Sequence, residues 1–327
     1  MISTKTSNNI KGLASILIVL HHFYNMSLFD FGDTFNYYIS EIGSPCVFLF
    51  LILSGYGVYM SYDHNKGKSQ YWVKKFKKIY VPFLLVNVLW VMYSFRLQDT
   101  TSMIGNIIAF LLMVSNDISL YIDSPMWYMS ELCLFYILFF VIFFVTKLDD
   151  KLKIFLLFVL ACVMHIAWVP GFVKLSQYIR WTSFAFPIGV LWAYCVGKIE
   201  GSDNEIAWLQ TIKKAVPGLI GIALLFLYRF VRNSIAPTDD TILLRNMIFA
   251  FGVIFVFMGI SKYWNNEKAL MIGQLSYIVY LTHEKILRIV YSFVGKSWFT
   301  VWLFILSIII IYLVSWVINK IVNYLNK

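Results

Sequence analysis

Charge is what this sequence has least of. Only 13% of its 327 residues are Asp, Glu, Lys or Arg, against 60% hydrophobic, and its mean hydropathy is strongly positive. A soluble domain carries roughly a quarter charged residues, so this chain cannot cover a water-facing surface. Cysteine is scarce as well. Cys46, Cys133, Cys162 and Cys195 stand singly within or at the edge of apolar runs. No spacing suggests a disulfide or a metal site, which leaves packing as their use. No carboxylate–histidine cluster has ligand spacing, so no metal is expected. The N-terminal MISTKTSNNIK leads into an apolar run without a small-residue cleavage site, and so reads as the approach to a first span rather than a removable signal. Neither an internal repeat nor a low-complexity linker divides the chain, which reads as a single integral-membrane domain over residues 1–327.

Long apolar runs are what it has most of. About 20 such residues cross a bilayer as a helix, and runs of that order recur along the whole length. The expected fold class is all-α, a polytopic bundle of about ten transmembrane helices. They are placed near Ile10–Leu28, Gly43–Tyr62, Tyr80–Phe95, Met126–Thr146 and Ile154–Val169, then Trp181–Gly197, Ala215–Val231, Leu243–Ser261, Ile272–Phe293 and Trp298–Asn319. One further piece, Ile104–Val114, is too short to cross and suits a re-entrant or interfacial helix.

Basic residues orient this arrangement. With the N-terminus inside, 18 of the 27 Lys and Arg fall in inner segments, six of them the lysines from Lys66 to Lys78. The first outer loop has Asp30, Asp33 and Glu41 and no basic residue. That bias places both termini in the cytoplasm of a cell membrane. The net charge of +10 therefore reads as topology, and nucleic-acid binding, which needs a soluble basic surface, is not expected.

In so apolar a chain the informative positions are ionisable groups at membrane depth, which are costly and usually functional. Lys11 and His22 lie eleven residues apart on one face of the first span, about 16 Å along the axis. Lys11 alone reads equally as an inner anchor, but the adjacent His21 and His22 must both find partners within the membrane. Glu131 enters from the outer side in Trp127-Tyr-Met-Ser-Glu131, near the depth of His22; it can pair with a histidine or stand partly solvated. Tyr277, Tyr280 and Glu284 share a helical face, and His283 adjoins it. His165 has no such company and reads as structural. The run Tyr71 to Pro82, with Lys74, Lys75, Lys77 and Lys78 among aromatics, reads from spacing alone as a lipid-facing anchor.

Taken in order, these segments resemble the acyltransferase-3 family of integral-membrane O-acyltransferases. The family's basic residue, ten intervening residues and histidine are Lys11 and His22 here. An aromatic-rich Leu-Ser-Gly-aromatic stretch follows at Phe48 to Tyr56, with Ser54 and Gly55. A basic cluster before Ile-x-x-Pro falls at Lys75, Lys78, Ile79 and Pro82. Trp127, Tyr128 and Glu131, with Phe135 and Tyr136 downstream, match the next motif, and Ser276 to His283 match the last. Lysines stand where the family usually has arginines, keeping charge but losing the planar fork. The resemblance is to a membrane-only member without the soluble domain that some relatives append.

The resemblance implies transfer of an acyl group, most often acetyl from acetyl-CoA, onto a hydroxyl of a cell-surface or exported carbohydrate. His22 is then the expected base, since an imidazole titrates near neutrality, with Lys11 and Glu131 in support. Lys75 and Lys78 are expected on the donor's phosphates. Ser54, Trp127, Tyr128, Tyr277, Tyr280 and His283 are expected to line the passage for acceptor or acyl group. Acyl-CoA, the hydroxyl acceptor and membrane lipid are the expected partners, and no resident cofactor is implied. A transporter or exporter of a glycan or small solute is the alternative, because it too needs intramembrane His and Glu; the ordered motifs and the lack of a repeat count against it.

Overall fold

The ends and faces of the helices follow from where this chain keeps its few polar residues. The computed structural model describes residues 2–26, 30–64, 68–94, 126–167, 173–199, 207–261, 267–294 and 300–325, and no strand occurs among them. The first part of the chain runs α1 (Thr4–Met26), α2 (Asp33–Ile39), α3 (Gly43–His64), α4 (Lys68–Lys75) and α5 (Val81–Ser94), a π-helical turn Phe76–Tyr80 joining the last two. Then come α6 (Met126–Phe140), α7 (Asp150–Ile166), α8 (Val173–Thr182), α9 (Ala185–Ile199), α10 (Ala207–Ser234), α11 (Asp239–Ile260), α12 (Glu267–Val294) and α13 (Val301–Leu325). Side-chain caps start helices where the chain is polar. Asp149 Oδ1 accepts from the Leu152 amide before α7, and Thr238 and Thr241 form a reciprocal box before α11.

Each of the ten expected spans overlaps one of these helices, but fewer qualify as crossing elements. Among the described residues six stretches are long and apolar enough to cross a membrane: Asp33–Tyr62, Met126–Val145, Gln177–Gly197, Val216–Ser234, Asp239–Ile260 and Val301–Leu325. The expectation of ten is therefore not reached on length and composition. The shortfall has a physical pattern. α1 and α12 have 23 and 28 residues, ample for a bilayer, but Lys11, His21 and His22 on one and His283, Glu284, Lys285 and Arg288 on the other dilute their hydropathy. The described parts of α5 and α7 are short, at 14 and 17 residues. The segment Ile104–Val114 lies outside the described residues.

Burial differs from that of a soluble protein in its exposed apolar faces and its buried charges. Leu219, Phe226 and Phe230 on α10 and Trp302, Leu313 and Tyr324 on α13 are more than half exposed, whereas Glu131, Arg232, Arg245, His283, Glu284 and Lys285 are buried. An apolar exterior, around a largely apolar core that also holds ionisable groups, is the arrangement a lipid solvent selects. This is a membrane protein.

Two close crossings set the site. α1 packs along α12, where a Cβ on Gly273 would run into the Asn8 backbone and one on Gly12 would press on Gly273. α3 packs along α9, where Cβ atoms on Gly55 and Gly189 would strike the backbone of Phe186 and Ile52. Small residues let helix backbones approach in membranes, and here they bring α1 against α12 and α3 against α9. A second, smaller core of Val19, Phe23, Leu275, Val279, Leu287 and Ile311 holds α13 against the α1–α12 pair.

Candidate functional site

Two cavities open toward opposite ends of α1. The larger, about 680 Å³, takes Thr4, Asn8 and Lys11 of α1 together with Lys74, Lys75, Lys77 and Lys78. The smaller, about 330 Å³, takes Ile18, His21 and His22 of the same helix. Tyr280 lines both. Its ring stands 4.8 Å from that of Tyr128 and 6.3 Å from that of Phe50, and those two rings are 6.2 Å apart. This layer of three aromatic rings lies where the lysine cavity meets the histidine cavity.

Helix spacing gathers the imidazoles. His22 sits 4.8 Å, centroid to centroid, from His283, and its Nδ1 lies 3.9 Å from Glu284 Oε2. Glu284 is clamped one turn further on, where Arg288 Nε and NH2 both donate to Oε1 at 3.0 and 2.6 Å. Two charge-assisted hydrogen bonds from one guanidinium fix a carboxylate in position. His283 hydrogen-bonds through Nδ1 to the carbonyls of Tyr280 and Val279, at 2.7 and 3.2 Å. Nδ1 must therefore carry a proton, which in the neutral ring leaves the buried Nε2 as a lone-pair acceptor, with no partner among the described residues. His21 is differently placed. Its Nδ1 donates to the Ile39 carbonyl at 2.9 Å and its Nε2 accepts from Asn25 at 3.1 Å, so it ties α1 to α2 and keeps no free nitrogen. Among the described residues the His22 ring makes no hydrogen bond. It is the one histidine of the three with both nitrogens available, and its side chain is 24% exposed.

The lysine cavity is built to receive negative charge. Lys75, on α4 outside the spans, holds its ammonium 3.6 Å above the Tyr136 ring and 5.5 Å from that of Tyr71. Burial lowers its pKa to about 7, and the neighbouring charges of Lys11 and Lys78 add to the effect. Ammonium groups crowded in this way attract a polyanion. Ser54, Tyr128 and Tyr136 line the same cavity. Tyr277 donates to the Ile79 carbonyl at 2.9 Å, which pins the π turn carrying Lys77 and Lys78 against α12.

Most of the expected residues gather at these cavities, on different sides of the aromatic layer. His22 and Trp127 line the small cavity, and Lys11, Ser54, Lys75, Lys78, Tyr128 and Tyr277 line the large one. Lys11 thus joins the lysines rather than His22. The pairing of Glu131 with His22 does not form. Glu131 Oε2 accepts from Thr182 Oγ1 at 2.7 Å, and Oε1 is buried with no partner among the described residues. The reason is rotational: α8 packs on α6 at this level, so Thr182 meets the carboxylate while α12 supplies the one that faces His22. His165, which reads as structural, bonds the Arg180 carbonyl and Asp240 at 2.9 Å each. Sequence reasoning missed Glu284 as the partner of His22 and Arg288 as its clamp; a Glu-x-x-x-Arg pair inside an apolar helix was the available signal. It also missed Trp181, Arg245 and Asn246 in the wall of the small cavity, which are distant in sequence from every motif.

The family model of the acyltransferase domain of acyltransferase-3 proteins matches residues 6–320. No curated protein and no solved structure matches the chain.

Proposed function

Because the chain belongs to the acyltransferase-3 family, and is therefore a membrane acyltransferase, we propose that it moves acetyl from cytosolic acetyl-CoA onto a carbohydrate hydroxyl on the far side of the membrane. The observation that carries this reading is the pair of cavities sharing Tyr280, one lined by lysines and the other by His22. The lysine cavity suits the donor's phosphates, with its thioester directed toward Ser54, Tyr128 and Tyr280. The histidine cavity suits the acceptor. His22 removes the hydroxyl proton as the oxygen attacks the acetyl carbonyl, the C–S bond breaks, and CoA leaves as thiolate toward the lysines. The imidazolium then gives up its proton to the leaving sulfur or to solvent. Glu284, held by Arg288, stabilises the positive imidazole while it exists.

Purified protein in nanodiscs, given acetyl-CoA and a sugar acceptor, should release free thiol and yield an acetylated sugar. His22→Ala should lower that rate about 10²–10⁴-fold, the range for loss of a general base, without changing the thermal unfolding transition. Full activity in that variant removes His22 from the chemistry. Transport of a glycan without consumption of acetyl-CoA would replace the whole reading with that of an exporter.

A further inference from the structure

Four arginines have described guanidinium groups that are buried or half-buried, and three of them are matched by a carboxylate. Arg180 has Asp239 at 3.1 Å, Arg232 has Glu41 at 3.3 Å, and Arg288 has Glu284. The fourth is Arg245, which lines the histidine cavity and is 5% exposed. Its NH2 donates to the Ile235 carbonyl, its Nε has no partner, and no carboxylate pairs with it among the described residues. Glu41 lines the same cavity, but Arg232 already holds it. A permanently charged group kept from water without a counter-ion is expensive. A ligand that supplies the missing charge would offset that cost.

The surrounding wall specifies the rest of that ligand. Trp127 and Tyr178 stack with centroids 4.8 Å apart, and Trp181 meets Tyr178 edge-on at 5.5 Å. Trp181 is fixed from both sides. Its Nε1 donates to Asp239 at 2.8 Å, and its carbonyl accepts from Asn246 Nδ2 at 3.0 Å. Asn246 also donates to Ser44 Oγ at 2.7 Å. Rigid aromatic faces with a few fixed polar groups suit the apolar face of a sugar ring. A volume of about 330 Å³ holds a sugar residue, not a long stretch of polymer.

We propose that the acceptor is an acidic sugar, whose carboxylate or phosphate is bound by Arg245 while a hydroxyl of the same residue faces His22. This rests on the acyl-transfer reading and adds the acceptor's charge class to it. Arg245 is here a binding residue that decides specificity. It lies six positions into α11, about 9 Å from the helix start, where an anion entering from the membrane surface can reach it.

The test compares methyl glucuronide, glucose 1-phosphate and uncharged methyl glucoside with the protein in nanodiscs. Saturation-transfer NMR gives binding, and mass spectrometry follows acetylation from acetyl-CoA in parallel. At least one anionic sugar should bind tenfold or more tighter than the glucoside, and added salt should weaken that preference. The better of the two anions assigns the group as carboxylate or phosphate. Arg245→Gln should bring the preference close to one. Arg245→Lys should retain part of it, as charge without the fork. Equal binding of all three sugars by the wild-type protein overturns the proposal, as does an undiminished preference in Arg245→Gln. Because the wild-type comparison stands alone, an unfolded variant leaves the result readable. Selective anion binding without acetylation upholds this site and removes the acyl-transfer reading. Acetylation of the neutral sugar with no anion preference does the reverse.

Discussion

Glu284 faces His22 across 3.9 Å while Arg288 grips its other oxygen, so the carboxylate that serves the imidazole comes from α12 and not from the entry of α6. Charge placed there matters only when His22 is protonated, which ties its effect to turnover more than to binding.

Glu284→Gln keeps the shape of this side chain and removes its charge. Turnover should fall by about one to two orders of magnitude, because an imidazolium loses its compensating charge near the reacting atoms. The pH–rate profile should move with it, and the KM for acetyl-CoA should stay close to the wild-type value. Glu131→Gln, whose parent carboxylate bonds Thr182, should leave the profile in place. A shift in the second variant and none in the first would reverse the assignment.

Lys75 gives the donor site its own pH dependence. With a pKa lowered to about 7 by burial, the free lysine is charged below that pH and neutral above it. Acetyl-CoA affinity should therefore weaken as pH rises through 7, by at most tenfold per unit for one proton. Lys75→Arg, which stays charged throughout, should flatten the curve, and Lys75→Ala should bind weakly at every pH. Titrations of donor binding at fixed ionic strength provide the measurement. A wild-type curve already flat between pH 6 and 9 would take Lys75 off the phosphates.

Helix crossing depends on the absence of a side chain at Gly273, where an added Cβ meets the Asn8 backbone. Gly273→Ala should cost about 1–3 kcal/mol, in the range of an overpacked core, and Gly273→Leu should prevent assembly. Thermal unfolding in detergent checks both. Gly57, within α3 and with open space where a Cβ would stand, is the control position, and Gly57→Ala should unfold at or slightly above the wild-type temperature.

Topology is testable without any activity. Reporter fusions at Asn36, in α2, and at Lys68, at the start of α4, should fall on opposite sides of the membrane, Asn36 outside. The lysine bias predicts this order, and the two cavities require it if donor and acceptor come from different compartments. Fusions that report the same side would remove the premise of the transfer scheme.

Position along a helix was legible in the sequence and azimuth was not. Counting residues from a charged end locates His22, Glu131 and His283 along their helices, and hydropathy locates the helices themselves. Whether Glu131 or Glu284 turns toward His22 depends on how α6, α8 and α12 rotate against one another, which is settled by packing at Thr182 and Gly273 rather than by any local pattern. The lysine run read as an anchor on spacing alone; the packing of Lys75 over Tyr136 needs two helices 60 residues apart. Arg245 and Trp181 were invisible for the same reason: nothing in their neighbourhoods shows that Asn246 joins them with Ser44 in one wall.

The aromatic layer of Phe50, Tyr128 and Tyr280 has an electrical consequence. In a bilayer with polar cavities on both sides, the membrane voltage falls across this thin layer rather than across about 30 Å of hydrocarbon. A unit charge driven through it does work of about 2.3 kcal/mol per 100 mV. In the proposed scheme the thiolate forms on the lysine side while the hydroxyl proton is taken up on the histidine side. Transfer with release of that proton to the outer solvent would move one unit charge through the layer and would depend on membrane voltage, whereas return of the proton to the sulfur would make it electroneutral.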